Sequence, residues 1–348
     1  MKKIIISFLI LSALLIFSCS KKENTNNKLL IYTPASRTLL DPLIEDFKQK
    51  NPDIVNIEII MAGSGELIKR IEAEKDNVLC DVLMTVNVDF MKENTNLFAN
   101  YISTNEEYIH NDFKNIEGSI TRFMLSPSVL IVNTNLIGNI NIEGYTDLTN
   151  EQLKGKIAFN DASSSSSAFE HLVNMLYTMG EGNIENGWGY IERLYSNLDN
   201  KILDSSSAVY KGVADGEYSV GLTYENAAAD YVSSGAPVQI VYMKEGVIMK
   251  ANGACIVKNA KNIENAKNIE NAKKFIDYIT SFEAQKKMND ELNARAIRKD
   301  LPKSNILIDI NEINAVTDSA ELDKISKESS NNKEIWLEKL KDIIISKQ

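Results

Sequence analysis

The residues best suited to bind a ligand are serines that stand directly before predicted helices. Five consecutive serines occupy 163–167, and apolar spacing predicts a helix from Ala168 onward. A second run, at 205–207, precedes another predicted helix. A helix N-terminus presents free N–H groups, and serine hydroxyls add neutral donors, so the runs predict an oxyanion site. Its candidate residues are Ser164, Ser165, Ser166, Ser167, Ala168, Ser205 and Ser206; a linker ending in an N-cap serine is the alternative.

Two earlier loops also lie between a predicted strand and a predicted helix. The first ends with Ser36 and Arg37. The planar guanidinium of Arg37 suits a phosphate or carboxylate, although a solvated surface arginine fits the sequence equally well. The second loop contains Ser64 and Gly65 and lacks the third glycine of a dinucleotide fingerprint. It therefore predicts a tight turn that feeds a helix.

Polar residues follow two predicted strands. Asn87 comes after the strand at 81–86, and Tyr224 and Glu225 come after the strand at 218–223. In open α/β sheets, ligands bind beyond the carboxyl ends of strands. We therefore add these three residues to the candidate ligand-binding set, with Glu225 alternatively a first-turn acid favoured by the helix dipole.

Signatures of enzyme chemistry are missing from the sequence. It contains no HExxH, GxSxG, Walker GxxxxGK[ST] or CxxC motif. Of its two histidines, His110 lies in a polar stretch and His171 falls inside a predicted helix, where a packing role is the simpler interpretation. We predict no enzyme activity, catalytic residue, cofactor or metal site.

Composition excludes further classes. The 348 residues are 44% hydrophobic and suffice for one large or two medium domains. With 38 basic and 48 acidic residues, the net charge of −10 argues against a nucleic-acid partner. Zinc binding by cysteine and histidine is excluded by the small number and spacing of these residues. Cys80 and Cys255 lie in apolar runs, which favours two buried thiols over a disulfide.

The N-terminus has the form of an export signal. Two lysines precede an apolar run from Ile4 to Phe17, shorter than the roughly 20 residues of a membrane span. A small residue and Cys19 follow, as in the lipobox of bacterial lipoproteins, although Phe17 is bulkier than usual there. We expect a signal peptide at 1–18 and a polar tether at 19–27 lipidated on Cys19. An ordinary signal followed by a cysteine is the alternative.

Strand-like and helix-like patterns alternate along the rest of the chain. A strand at 28–33 and a helix over 39–47 form the first unit, and the alternation continues to about residue 258. Amphipathic helices then follow, with Trp336, Leu340 and Ile343 on one face. The pattern predicts an α/β fold with mostly parallel sheets flanked by helices. Because one sheet does not accommodate so many units, two lobes are expected.

An ordered set of short segments resembles the substrate-binding proteins of ABC importers, in the ferric-ion, phosphonate and sugar-phosphate branch. These segments are Leu29–Pro34, Ala62–Leu67, Arg70–Lys75, Cys80–Leu83, Val132–Thr134, Lys154–Ala158, Ser166–Phe169, Val213–Glu217 and Ala272–Ile276.

The resemblance implies a two-lobed clamp of the type II periplasmic-binding-protein kind. Lobe 1 is expected at 28–126 and 250–292, lobe 2 at 127–249, and C-terminal helices at 293–348 packing mainly on lobe 2. The implied partners are a small anionic solute and the ABC permease and ATPase subunits. The protein is expected as a monomer anchored by lipid to a membrane, on its periplasmic or outer face.

Ferric-ion members hold the metal with a histidine, a glutamate and two tyrosines. By resemblance these positions fall on Ser36, Val86 and about 226–227, where no such ligand stands. The anion loop is kept at Ser166–Ala168, which is similar to the branch that binds phosphorylated sugars or organophosphonates. Capture of such a solute is the first expectation. Ferric iron or an iron chelate, with Tyr224 and Glu225 as oxygen ligands, is the alternative, and a surface adhesin or sensor is a further one.

Overall fold

Each of the first three strands leads within a few residues into a helix. This computed structural model describes residues 28–258 and 266–347. The predicted signal peptide, the tether and Cys19 lie outside the described residues. The strands are β1 (Lys28–Thr33), β2 (Asn56–Met61), β3 (Val82–Asn87), β4 (Phe98–Ala99), β5 (Thr121–Leu125), β6 (Ser128–Asn133), β7 (Ile157–Ala158), β8 (Val220–Tyr224), β9 (Val238–Val241), β10 (Val247–Ile248), β11 (Ala251–Val257), β12 (Arg295–Ala296) and β13 (Ala315–Val316). The α-helices are α1 (Arg37–Lys50), α2 (Ser64–Ala73), α3 (Val88–Lys92), α4 (Ser166–Met179), α5 (Ile184–Leu198), α6 (Ser206–Ala214), α7 (Glu225–Ser233), α8 (Ala266–Ile279), α9 (Phe282–Asp290) and α10 (Ser319–Lys347).

The first sheet has the order β12-β5-β11-β3-β1-β2, with β4 also paired to β11. Strand β1 runs parallel to β2 and β3, whereas β11 is antiparallel to β3, β4 and β5. The sheet is therefore mixed, and the prediction of a mostly parallel sheet is wrong here. The reason is topological: the chain returns from the second lobe through β11 and enters against the direction of β3.

The second sheet has the order β7-β8-β6-β9. Only β7 and β8 pair in parallel among its ladders, while β6 is antiparallel to both β8 and β9. This sheet is mixed for the same reason, because β6 carries the chain in from the first lobe. The α/β class and the two lobes agree with the prediction.

Two chain crossings join the sheets side by side. Strand β5 continues into β6 through Ser126 and Pro127, and β10 leads into β11 through Met249 and Lys250. The Ser126 N–H donates to the Lys250 carbonyl oxygen at 3.0 Å. The cleft between the lobes is therefore bounded on one side by this pair of crossings.

The C-terminal part of the chain contacts both lobes. Within the segment expected to be helical, β12 pairs with the open edge of β5 and β13 pairs with β10, because each completes an unpaired strand edge. Helix α10 packs on α4 and α5. It buries Trp336, Leu340 and Ile343, which confirms the apolar face predicted from their spacing.

The core follows the apolar spacing of the sequence. All five apolar side chains predicted to face inward from α1 are buried, from Leu39 to Phe47. Cys80 and Cys255 are buried free thiols, as expected from their apolar surroundings. Across the described residues, no helix combines the length and apolar character needed to cross a membrane.

Candidate functional site

Three helices of the first lobe begin at one edge of its sheet. Strands β3, β1 and β2 are parallel neighbours, and α3, α1 and α2 follow them in turn. The N-cap residues of these helices are Asn87, Ser36 and Gly63. Because carboxyl ends of parallel strands share an edge, the free N–H groups of the three helices line one side of the cleft.

Ser36 and Arg37 lie on this edge at the start of α1. Ser36 is exposed, and its Oγ lies 2.7 Å from Thr38 Oγ1. The Arg37 guanidinium donates to the Asp41 carboxylate at 3.2 Å on the same helix. Both members of this pair are largely exposed, so the guanidinium is held along the outer face of α1.

Ser64 and Gly65 open helix α2 directly after its glycine N-cap. Gly65 is exposed, and a Cβ built there would meet its nearest atom, Phe90 Cζ, only at 4.0 Å. The start of α2 is thus bordered by open space, as the predicted tight turn requires.

Two serine-capped helices of the second lobe follow segments that are paired with each other. Asn160 and Leu203 form a parallel bridge, and the Asp161 N–H donates to the Leu203 carbonyl at 3.2 Å. These paired segments lead to Ser165, the N-cap of α4, and to Ser205, the N-cap of α6. The structure therefore pairs the segments that lead into the two serine runs, which are about 40 residues apart in the sequence.

Both helix starts have the same pair of hydroxyls. Ser165 Oγ accepts from the Ala168 N–H at 3.4 Å and lies 3.0 Å from Ser167 Oγ. Ser205 Oγ accepts from the N–H three residues later at 3.2 Å and lies 3.1 Å from Ser207 Oγ. In each pair the cap hydroxyl satisfies a backbone donor, and the second hydroxyl stands beside it in the first turn. Ser207 belongs to the predicted serine run but was not among its named candidate residues, and the structure adds it to them.

The five-serine run divides into two parts. Ser163 Oγ donates to Asp161 Oδ2 at 2.6 Å, and Ser164 Oγ donates to the Asp161 carbonyl at 3.2 Å. Helix α4 begins at Ser166, which is exposed, two residues before the predicted start. The expectation that Ser164 faces the ligand does not fit this geometry, because its hydroxyl closes the turn after Asp161. Ser206, half-buried, is the first residue of α6.

Tyr224 stands at the N-cap of α7, close to α6. Its ring meets Tyr210 edge-on, with centroids 6.1 Å apart, and the Tyr210 ring lies 5.7 Å from that of Tyr231. Burial and a hydrogen bond with Tyr210 raise the pKa of Tyr224, so its phenol stays protonated. Tyr210 was missed by sequence reasoning because a tyrosine inside a helix carries no distinguishing signal.

Glu225 is buried in an ion pair rather than directed at a ligand. Its carboxylate accepts from Arg295 Nη2 at 2.6 Å and Nε at 2.9 Å, and from the Tyr242 hydroxyl at 2.6 Å. The expectation of a ligand oxygen at Glu225 is therefore corrected. Arg295 lies in β12, at the edge of the first sheet, so the pair instead links the two lobes.

A second contact between the lobes crosses the cleft at Asn87. Its Oδ1 accepts from the Asp89 N–H at 2.8 Å, and its Nδ2 donates to Glu170 Oε1 of α4 at 3.3 Å. Burial raises the pKa of Glu170, and Lys250 opposes that shift. Glu170 follows the serine loop by three residues, yet helical periodicity alone does not distinguish it from a solvated acid.

His171 is a satisfied packing residue, as interpreted from its place in a helix. Its Nε2 lies 2.7 Å from the Thr223 carbonyl and its Nδ1 lies 2.8 Å from the Tyr145 hydroxyl. The Tyr145 oxygen also accepts from Asn174 Nδ2 at 3.0 Å. Facing a carbonyl, Nε2 carries the proton, and burial lowers the pKa of the imidazole to about 4. Within the described ranges, no three His, Cys, Asp or Glu side chains cluster as metal ligands would.

The chain matches the family model of bacterial extracellular solute-binding proteins over residues 29–291. A probable ABC transporter periplasmic-binding protein of Sinorhizobium fredii, y4fP, is 23% identical over 209 residues, which cover 58% of this chain and 57% of that protein.

Solved structures have the same two-lobed fold. A protein described as a two-component system protein that mediates signal transduction is 28% identical, with a TM-score of 0.69, over 85% of this chain and 96% of that chain. AfuA from Actinobacillus pleuropneumoniae, with exogenous fructose 6-phosphate bound, is 23% identical, with a TM-score of 0.69, over 87% and 98%. Apo ferric ion-binding protein A from Pasteurella haemolytica is 18% identical, with a TM-score of 0.71, over 92% and 99%.

These neighbours are solute-binding proteins or share their fold, and the match to the family model spans most of the chain. The chain belongs to the bacterial extracellular solute-binding protein family, and the family and these structural neighbours are solute-binding proteins rather than enzymes.

Proposed function

We propose that the protein captures a small solute bearing a phosphate or phosphonate group in the cleft between its lobes. The observation that carries the proposal is the pairing of the segments that lead into α4 and α6, each of which begins with a serine cap and a second hydroxyl. Together they offer free N–H groups, two helix dipoles and neutral hydroxyl donors to one oxyanion. The net charge of −10 makes such local donors necessary for holding an anion.

The first lobe supplies the opposite wall. The starts of α1, α2 and α3 lie along one sheet edge, and the contact from Asn87 to Glu170 joins this edge to α4. A solute held by the serines would therefore meet Asn87 when the lobes close. The AfuA structure, which contains bound fructose 6-phosphate, is an example of a protein with this fold that binds a sugar phosphate.

The proposed role includes delivery of the solute to an ABC permease and ATPase by a protein anchored through lipid on Cys19. Delivery is the role expected of an exported substrate-binding component. A signalling partner in place of the permease is a second candidate, because the neighbour at 28% identity is described as a two-component system protein. Capture of the solute is common to both.

Iron is the alternative cargo. The observation in its favour is the cluster of Tyr210, Tyr224 and Tyr231, since phenolate oxygens are hard ligands. Two observations argue against iron. Glu225 is already paired with Arg295, and the raised pKa of Tyr224 opposes formation of a phenolate. Ferric ion titrated in a non-coordinating buffer should give no visible tyrosinate band; a strong band lost in Tyr224→Phe would favour iron.

Calorimetric titration tests the main proposal. A hexose phosphate or an alkylphosphonate should bind, whereas the matching uncharged sugar should bind at least about 100-fold more weakly, since two charge-assisted hydrogen bonds are lost. Equal affinity for the charged and uncharged sugars would contradict an oxyanion site.

A further inference from the structure

Glu170 lies on α4 beyond the serine cap and faces the first lobe. Five residues separate it from Ser165, which is about 7.5 Å along the axis at 1.5 Å per residue. Its Oε1 accepts from Asn87 Nδ2 at 3.3 Å across the cleft. A solute whose oxyanion sits at the α4 start and whose body extends toward Asn87 would therefore have its far end beside this carboxylate.

Three segments of the chain supply the polar and charged groups around Glu170. Lys250, at the crossing before β11, and Asp89, in α3, act on it, and Asn87 bonds to it. Lys250 Nζ lies 3.9 Å from Asp89 Oδ2, with its side chain only 15% exposed. One ammonium thus acts on two carboxylates, so the group has an excess negative charge when Glu170 is ionised. Its chemistry is opposite to that of the serine-capped helix starts.

We infer that Glu170 is a specificity-determining residue: it accepts a hydrogen bond from a hydroxyl or ammonium group of the solute and rejects a solute with a second anionic group there. The inference rests on the proposed oxyanion site and narrows its substrate class. Sugar monophosphates and aminoalkylphosphonates fit both ends of the site. Sugar bisphosphates and carboxyalkylphosphonates fit only the serine end.

The size of the discrimination follows from charge repulsion. For a second charge about 7–12 Å from the carboxylate, an effective dielectric constant near 20 gives a preference of about 10- to 50-fold for the solute without that charge. Hydrogen bonds from a hydroxyl or ammonium group add to the preference.

The test measures affinities for two matched pairs of probes. One pair is fructose 6-phosphate and fructose 1,6-bisphosphate; the other is 2-aminoethylphosphonate and phosphonoacetate. The wild type should prefer the first member of at least one pair by about tenfold or more. In Glu170→Gln, which keeps an acceptor for Asn87, that preference should fall below about threefold.

Glu192→Gln is the matched control, because Glu192 is an exposed acid on the neighbouring helix α5 and should leave the ratios unchanged. If the Gln variant fails to fold, Glu170→Thr removes the same charge. An unchanged ratio in the Glu170 variants, or a wild type that binds both members of a pair equally, overturns the inference while leaving the oxyanion site intact. Absence of binding to all four probes overturns the proposed function itself, and the inference with it.

Discussion

The two hydroxyls that stand beside the serine caps are the most informative place to perturb binding. Ser167 Oγ lies 3.0 Å from the cap hydroxyl of Ser165, and Ser207 Oγ lies 3.1 Å from that of Ser205. The backbone N–H groups are capped by Ser165 and Ser205 themselves. Replacing Ser167 and Ser207 by alanine therefore keeps both caps. If each hydroxyl donates to the solute oxyanion, its loss costs about 1.5–3 kcal/mol, the range for hydrogen bonds to charged groups.

The double variant Ser167→Ala, Ser207→Ala should then lose about 3–6 kcal/mol of binding free energy, or roughly two to four powers of ten in Kd. Isothermal titration with the best-binding phosphate or phosphonate measures the loss, and thermal unfolding checks that the fold is kept. The control is Ser163→Ala, Ser164→Ala, which removes two hydroxyls of the same run that bond to Asp161. If both double variants bind equally well, the helix-start hydroxyls do not hold the solute.

Three further predictions concern stability, each measured by urea unfolding. The His171 imidazole has a pKa of about 4 in the folded protein, below the ordinary 6.5, so the folded state binds fewer protons than the unfolded state. The free energy of unfolding of the wild type should therefore fall by about 2–3 kcal/mol between pH 7 and pH 4.5. His171→Gln should lack this part of the pH dependence. Burial raises the pKa of Asp81 to about 6, so stability should instead fall as pH rises from 4 to 6. Over that interval Asp81→Asn should gain about 2 kcal/mol relative to wild type, and equal pH profiles would contradict this. Trp336→Ala should lower the free energy of unfolding by about 3–5 kcal/mol, because the ring is buried on the inner face of α10. Ile335→Ala is the control: this neighbouring position is exposed, and the change should be about 0.5 kcal/mol or less. Similar losses in the two variants would refute the packing assignment.

Local patterns predicted the elements well. The spacing of apolar residues places α1 and the buried face of α10, and the alternation of patterns predicts the α/β class, because burial periodicity is a local property. Strand direction was not predictable in this way. Whether β11 runs parallel or antiparallel to β3 depends on where the chain re-enters the sheet. The residues of β11 carry no signal of that direction.

The parts of the candidate site that are formed by one continuous segment of the chain could be predicted from the sequence. The serine runs predict the starts of α4 and α6, because a helix cap involves only residues that are a few positions apart in the sequence. Partners from distant segments were not predictable. Glu225 was expected at a ligand because the partner that neutralises it, Arg295, is 70 residues away. The contact from Asn87 to Glu170 joins residues 83 apart, and it exists only because the two lobes face each other.

Native mass spectrometry of the protein, purified from the cells that export it, is the decisive experiment for capture of a phosphorus-containing solute. Clamps of this fold enclose their solute, so the intact complex should be heavier than the polypeptide by a small phosphorus-containing solute, which is released on unfolding. A bound mass equal to iron, or a protein that is solute-free and stays so when sugar phosphates and phosphonates are added, would contradict it.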